Sequence, residues 1–425
     1  MKRVLVCLLA ACGQSATTVG DSGGPTDSAA DAAPRPIPRL EEAGALCKLF
    51  SNRNTSDPTP NDVQHRANIL GADLGIPVDH ANTLYIFFGD TIGYAGIWGN
   101  GESHPDSVGF ATVPASEVAA DPSLLCSNLR VLTLAPEDSV GPTVDTTVIA
   151  DFAANAMAAP SGHTLGEYIR NPSGTPPQTF AHLPGDFEAP SGAFSHNGSI
   201  YVFYTTVESR LDPTMKASYL ARWTAPTTTG LPGYDILYAV DQRFDATGPL
   251  GGHFINIAAV PHDNYLYAFG TGIYRASAIH LARKPLASLD IDATFEPLGE
   301  IIPTAGYGEA SVRYYPVIDR WMFLAQQQTP EANRVVARFA DRPEGPWSEA
   351  LVVHDMADSA FRDRYCCAVV DDCQGDQFMN CNRTGFYATY LFPDVILTPT
   401  GFTVTYTMSS FDPYNVALFS ATFAN

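Results

Sequence analysis

With 425 residues, 11% of them aromatic and only 16% charged, the chain can bury a sizeable core, as one large β domain or two ordinary ones. Its net charge of −21 argues against nucleic acid and anionic membrane surfaces as partners, and suits a neutral or cationic substrate. The 34 glycines and 33 prolines fit many strands joined by turns.

The first element is a targeting segment. Lys2 and Arg3 precede the apolar run VLVCLLAA, too short to span a bilayer as a mature helix. The run closes on Leu9-Ala10-Ala11-Cys12, the pattern of a bacterial lipobox, in which Cys12 is lipidated and becomes the first mature residue. The plainer alternative is an ordinary signal peptide with a coincidental cysteine. Residues 13–38, rich in Ser, Thr, Gly, Ala, Asp and Pro, cannot bury enough apolar surface to fold and read as a flexible tether. Residues 39–425 are then the folded domain. Gly13, in place of an aspartate, points to the outer membrane or cell surface. Export leaves six cysteines, Cys47, Cys126, Cys366, Cys367, Cys373 and Cys381, enough for three disulfides. Adjacent Cys366 and Cys367 are expected to take different partners. The spacing lacks the paired C-x-x-C of a zinc site.

A hairpin follows at GADLGIPVDHANTLYIFFGDT, residues 71–91, with its turn at DHAN. The same pairing of a mildly apolar strand with a strongly aromatic one recurs at 188–206, 253–271, 309–327 and 384–409, the last with a longer connection. A third strand comes after each hairpin, at 107–113, 217–223, 278–284, 334–340 and 415–421. The middle three share an apolar-Ala-Arg pattern. Weaker fourth strands are expected at 129–135, 235–241, 295–301 and 348–354. The fifth unit runs out at Asn425, and AGALCKLF (43–50) can supply its missing strand. The repeat predicts an all-β, five-bladed β-propeller whose last blade is closed by an N-terminal strand. A two-sheet β-sandwich is the competing architecture. The long insertion at about 136–186 is of a length often functional in loops.

In a propeller the first strands line a central channel, so residues at their channel ends meet in one mouth. Asp73 and Asp90 fall symmetrically about the first turn. As cross-strand partners they would lie on the order of 5 Å apart. Two carboxylates that close cannot both ionise freely, so one pKa should rise, giving an acid beside a base or nucleophile. Equivalent positions add Glu188, His253 and Glu309, with Asn256, Arg313, Gln326 and Tyr390 nearby. Acids with aromatic neighbours suit glycosidic cleavage, which needs carboxylates on both sides of the bond. Each residue also has a structural reading: turn caps for the aspartates, Arg313 as an ion-pair partner for Glu188 or Glu309, a core histidine for His253. There is no G-x-S-x-G, H-E-x-x-H or P-loop pattern. DDCQGDQFMNCN does not match an EF-hand, and a disulfide-braced loop is expected there.

ADLG, then FFGDT, EAPSG and GEASVRY together resemble the DUF4185 family, over roughly residues 60–425; RPEGPWSEALVV also resembles blade edges of five-bladed propeller glycosidases. The resemblance implies a five-bladed propeller, endo-D-arabinanase-like activity and two catalytic aspartates in the first blade, carried here by Asp73 and Asp90. Ala72, where many relatives have Thr, and the Cys-rich insertion depart from that pattern. The expectation is a monomeric, lipid-anchored, extracytoplasmic hydrolase of a furanose-containing polysaccharide such as arabinan. The alternatives are a glycan-binding propeller without turnover and a scaffold lipoprotein. No redox cofactor is expected. A structural Ca²⁺ in the channel is allowed, though no motif calls for it.

Overall fold

A computed structural model describes residues 35–50, 59–67, 69–93, 106–132, 169–170, 183, 187–208, 215–229, 232–243, 245–330, 332–368, 373–382, 385–411 and 414–425. The signal, Cys12, nearly all of the tether and all but residues 169–170 and 183 of the long insertion lie outside these residues.

The described chain is all-β, with a few short helices. Strand β1 (Arg39–Lys48) stands apart in sequence from its sheet. The first sheet has the order β2 (Ile69–His80), β3 (Thr83–Gly93), β4 (Ser107–Ala111) and β5 (Leu129–Val131). In the second, the two-residue β6 (Ile169–Arg170) flanks β10 (Tyr234–Gln242), followed by β9 (Met215–Thr224), β8 (Ser199–Val207) and β7 (Phe187–His196). The third runs β11 (Asn256–His262), β12 (Tyr265–Thr271), β13 (Ser277–Pro285), β14 (Glu296–Tyr315), β15 (Arg320–Thr329), β16 (Ala332–Ala340) and β17 (Leu351–Asp355). The fourth joins β18 (Phe386–Leu397), β19 (Gly401–Ser410) and β20 (Asn415–Ala424) to β1.

The repeated hairpins form where the sequence puts them. Ala81 and Asn82 both have positive φ, as do Asn197 and Gly198, which is what two-residue hairpin turns require. The second strand of each hairpin is strongly apolar because neighbouring sheets cover both of its faces: every residue of β8 is buried, as are the first seven of β15. Outer strands are wetter. β1 is exposed or half-buried at every position but Lys48, and the first half of β14 at every position but Ile302. The first strands touch in a cycle: β2 packs beside β7, β7 beside β11, β11 beside β14, β14 beside β18, and β18 beside β2. Mid-strand residues from all five, including Pro77, Ser191, Ala258, Arg313 and Tyr390, line one narrow cavity.

Two expectations change. The strand predicted at 295–301 and the first strand of the hairpin predicted at 309–327 are the two halves of one 20-residue strand, β14, so two repeats share a seven-stranded sheet. Its first half pairs with β13 and its second with β15. The last hairpin also has a short connection, residues 398–400, because β18 extends to Leu397 past an irregular stretch between Leu391 and Val395. The predicted closure is present: β1 pairs antiparallel with β20 from Arg39↔Ala424 to Lys48↔Ala417. A Cys47–Cys126 disulfide ties β1 to the short helix Leu125–Asn128, ahead of β5. Cys366–Cys381 and Cys367–Cys373 brace the segment before β18, each neighbour taking its own partner.

Candidate active site

The register around Asp73 differs from the symmetric expectation. Leu74 and Gly75 both have positive φ, and the pairing slips by one residue between Leu74 and Ile76. Asp73 therefore faces Gly89, not Asp90. Bulges of this kind re-aim side chains. The Asp73 carboxylate lies over Gly89, where a Cβ would be 2.5 Å from Oδ1. Asp90 is next along β3 and remains a strong electrostatic neighbour of Asp73.

Tyrosines hold the acids. The Tyr387 hydroxyl, at the start of β18, donates to Asp73 Oδ2 at 2.7 Å. The Tyr414 hydroxyl, from the turn ahead of β20, donates to Asp90 Oδ2 at 2.6 Å. Gly71 lets that turn come close, since a Cβ there would collide with the Tyr414 carbonyl. A third carboxylate, Glu309 of β14, accepts from the Tyr274 hydroxyl at 2.8 Å and lies 3.9 Å from Arg275 Nη2. Tyr274 and Arg275 come from the β12–β13 connection. Asp73 and Glu309 are buried, at 8% and 5% exposure, while Asp90 is half-buried. Among the described residues, Asp73 Oδ1, Glu309 Oε2, Arg275 Nε and the Tyr390 hydroxyl are buried without a hydrogen-bond partner.

Burial, then the Asp90 charge, then Glu309 hold the Asp73 carboxyl well above the usual carboxylate range; the Tyr387 hydrogen bond and Arg275 oppose them and lose. Burial also raises the Tyr387, Tyr274 and Tyr414 hydroxyls, helped by Asp73, Glu309 and Asp90 respectively. These tyrosines stay protonated at neutral pH and serve as donors. Asp73 therefore keeps its proton in conditions where an exposed carboxyl loses it.

Of the residues singled out in the sequence, Asp73, Asp90, Glu309 and Tyr390 come together; Tyr390 couples electrostatically to both Glu309 and Asp73. Glu188 is buried in a second cluster with Tyr204, Tyr234 and Asp106. Asn256 opens β11, buried opposite Thr271. Gln326 is buried and donates to Asn333 at 2.7 Å. His253 is displaced from its expected place. The strand begins only at Asn256, after a loop in which Gly251 and Gly252 have positive φ, so His253 is exposed and stacks on His280 at 3.8 Å. Arg313 does not pair with Glu188 or Glu309; it donates to the carbonyls of Pro77 and Leu391. Four residues along a strand is about 13 Å, which puts Glu309 out of its way. Tyr274, Arg275, Tyr387 and Tyr414 were not legible. A Tyr-Arg pair inside a tight strand connection, GTGIYRAS, is the one local signal. Among the described residues, no three His, Cys, Asp or Glu side chains gather as metal ligands.

A family model for a domain of unknown function, DUF4185, matches residues 186–420. The chain belongs to the DUF4185 family. The DUF4185 match contains Glu309 and all four tyrosines of the cluster, but begins after the hairpin that carries Asp73 and Asp90. It is shorter than the resemblance over roughly residues 60–425. No curated protein matches the sequence. Solved structures are similar at low identity. One is an α-L-arabinofuranosidase from Podospora anserina in complex with cellotriose, at 12% identity and TM-score 0.48, covering 92% of this chain and 98% of that one. Another is the catalytic domain of an α-L-arabinofuranosidase from Coprinopsis cinerea, at 11% and 0.47, covering 91% and 98%. A third is an exo-β-1,3-galactanase from Phanerochaete chrysosporium in complex with β-1,3-galactotriose, at 11% and 0.42, covering 81% and 59%. These likenesses are too distant to bring an activity or a substrate to this DUF4185 chain.

Proposed function

We propose that this protein is a glycoside hydrolase in which Asp73 is the general acid and Asp90 the general base or nucleophile. The observation that carries the reading is the geometry of the two acids, a buried carboxyl whose surroundings raise its proton affinity beside a more exposed one. Tyr387 occupies Asp73 Oδ2 as an acceptor, so the transferable proton belongs on Oδ1, the oxygen without a partner among the described residues. In the reaction that proton passes to the glycosidic oxygen as its bond to the anomeric carbon breaks. Asp90 attacks that carbon or takes a proton from the attacking water. Among the described residues, Glu309 Oε2, which faces Arg275 Nη2 at 3.9 Å, and the Tyr390 hydroxyl accept or donate no hydrogen bond, a complement suited to sugar hydroxyls.

The five inner strands are read as the first strands of five propeller blades, with the acids at one mouth of their channel. The substrate class is a neutral, furanose-containing polysaccharide, arabinan first, following the family resemblance. Cys12 anchors the protein by lipid to the outer membrane or cell surface, residues 13–38 form the tether, and the domain acts as a monomer. A second reading, glycan binding without turnover, is favoured by one observation: Asp73 is only 8% exposed beneath Tyr387.

Reducing-sugar release from a panel of arabinans, galactans and other glycans tests the choice. Release from one glycan, lost in folded Asp73→Asn and Asp90→Asn proteins, supports the hydrolase. Binding without release by wild type and variants alike supports the second reading.

A further inference from the structure

The β12–β13 connection is built around one arginine. Ser277 Oγ accepts from the Gly272 and Ile273 amides and donates to the Ile273 carbonyl, closing the turn. Within it Arg275 has a φ of 53°, a left-handed conformation in which glycine or asparagine is at home and arginine is not. The side chain then threads between two aromatic rings: its guanidinium carbon lies 4.5 Å from the Tyr274 ring centre and 4.8 Å from that of Tyr387. Its Nη2 faces Glu309 Oε2 at 3.9 Å. Its Nε has no acceptor among the described residues and has ring faces around it instead. Room for the stem comes from Gly308, beside Glu309, where a Cβ would be 2.8 Å from Arg275 Cγ. Tyr274 donates to Glu309 and Tyr387 donates to Asp73, so one side chain stands between the partners of both acids.

We propose that Arg275 is a positioning residue: wedged between Tyr274 and Tyr387, it fixes the hydroxyl that binds Asp73 and holds the Glu309 carboxylate in place beside it. The inference concerns the acid cluster of the proposed hydrolase, but its test needs no substrate. Besides Arg275, the groups that face Asp73 electrostatically are Asp90, Glu309, Tyr387, Tyr390, Tyr274 and Tyr414. Arg275 is the cation among them. Its loss removes a charge that favours the ionised Asp73 and releases the ring whose hydroxyl does the same, so both effects raise the carboxyl's proton affinity.

The experiment is titration of ¹³C-labelled aspartate and glutamate carboxyls by NMR in the full chain, with Arg275→Ala, Arg275→Lys and Gly308→Ala. Asp73 is assigned through its loss in Asp73→Asn. The expected result is an Asp73 proton affinity about tenfold higher in Arg275→Ala. Gly308→Ala should move it the same way, because the new methyl displaces an intact Arg275. Arg275→Lys keeps the charge without the planar stack and should recover part of the shift. An unchanged Asp73 midpoint in folded Arg275→Ala and Gly308→Ala overturns the proposal, and full recovery by lysine reduces Arg275 to a charge. A shifted midpoint without sugar release leaves the positioning role standing while the hydrolase reading falls.

Discussion

Asp73 and Lys284 are both ionisable and both almost out of water, at 8% and 1% exposure, yet their surroundings differ in kind. Lys284 on β13 has three donors and uses all three, on the Tyr238 hydroxyl and the Ile291 and Ala293 carbonyls, with the Tyr238 ring 4.1 Å from Nζ. It pins the loop between β13 and β14 and has no capacity left for a ligand. Asp73 has one oxygen bound and one without a partner among the described residues, with two further carboxylates raising the cost of ionising it. Burial by itself therefore says little about function. Burial with unspent hydrogen-bonding capacity marks a site, because leaving such an atom unpaired is costly unless a ligand meets it.

The contrast can be broken most directly at Asp73 and Asp90. Exchange of either for asparagine should lower sugar release by at least about 10³-fold while circular dichroism stays native; a milder loss would place the acid elsewhere. Lys284→Met should do the opposite. Orphaned carbonyls cost about 2–4 kcal/mol of stability in denaturant unfolding, with turnover unchanged. A change in turnover would erase the distinction. Glu309→Gln sharpens the picture of the acid cluster. Its charge helps to keep Asp73 protonated, so the alkaline limb of the pH–rate profile should move to lower pH. The smallest effect is on stability. Because the Asp73 pKa is raised on folding, its contribution is fully present below the unfolded pKa and is lost as pH rises through the folded one. Asp73→Asn should therefore melt higher than wild type at neutral pH, by the equivalent of about 1 kcal/mol, and lose that advantage in acid.

The hairpins, the third strands and the β1–β20 closure were legible because each depends on local alternation and on turn residues that accept positive φ. The continuity of β14 was not, since a strand that serves two neighbours looks in sequence like two strands with polar residues between. At the site, two acids of one hairpin could be read together, but their partners could not. Tyr387 and Tyr414 reach Asp73 and Asp90 from the far end of the chain, and in sequence Tyr387 resembles any aromatic of a buried strand and Tyr414 any aromatic of a turn. Arg313 was misread through proximity in sequence. On a helix it would stand one turn from Glu309, but an extended strand carries it to the narrow cavity between the inner strands.

The pairing of β1 with β20 has a consequence for how the molecule comes into being. The fourth sheet takes one strand from the start of the domain and three from its end, so no length of nascent chain short of β20 can complete it. Until then β1 is a strand without a sheet, and afterwards a chain that lost it would present the long, apolar edge of β20. Such an edge recruits any free strand, including β1 of another copy. The Cys47–Cys126 bond guards against that outcome: once formed, it keeps β1 on its own molecule at the seam of the ring.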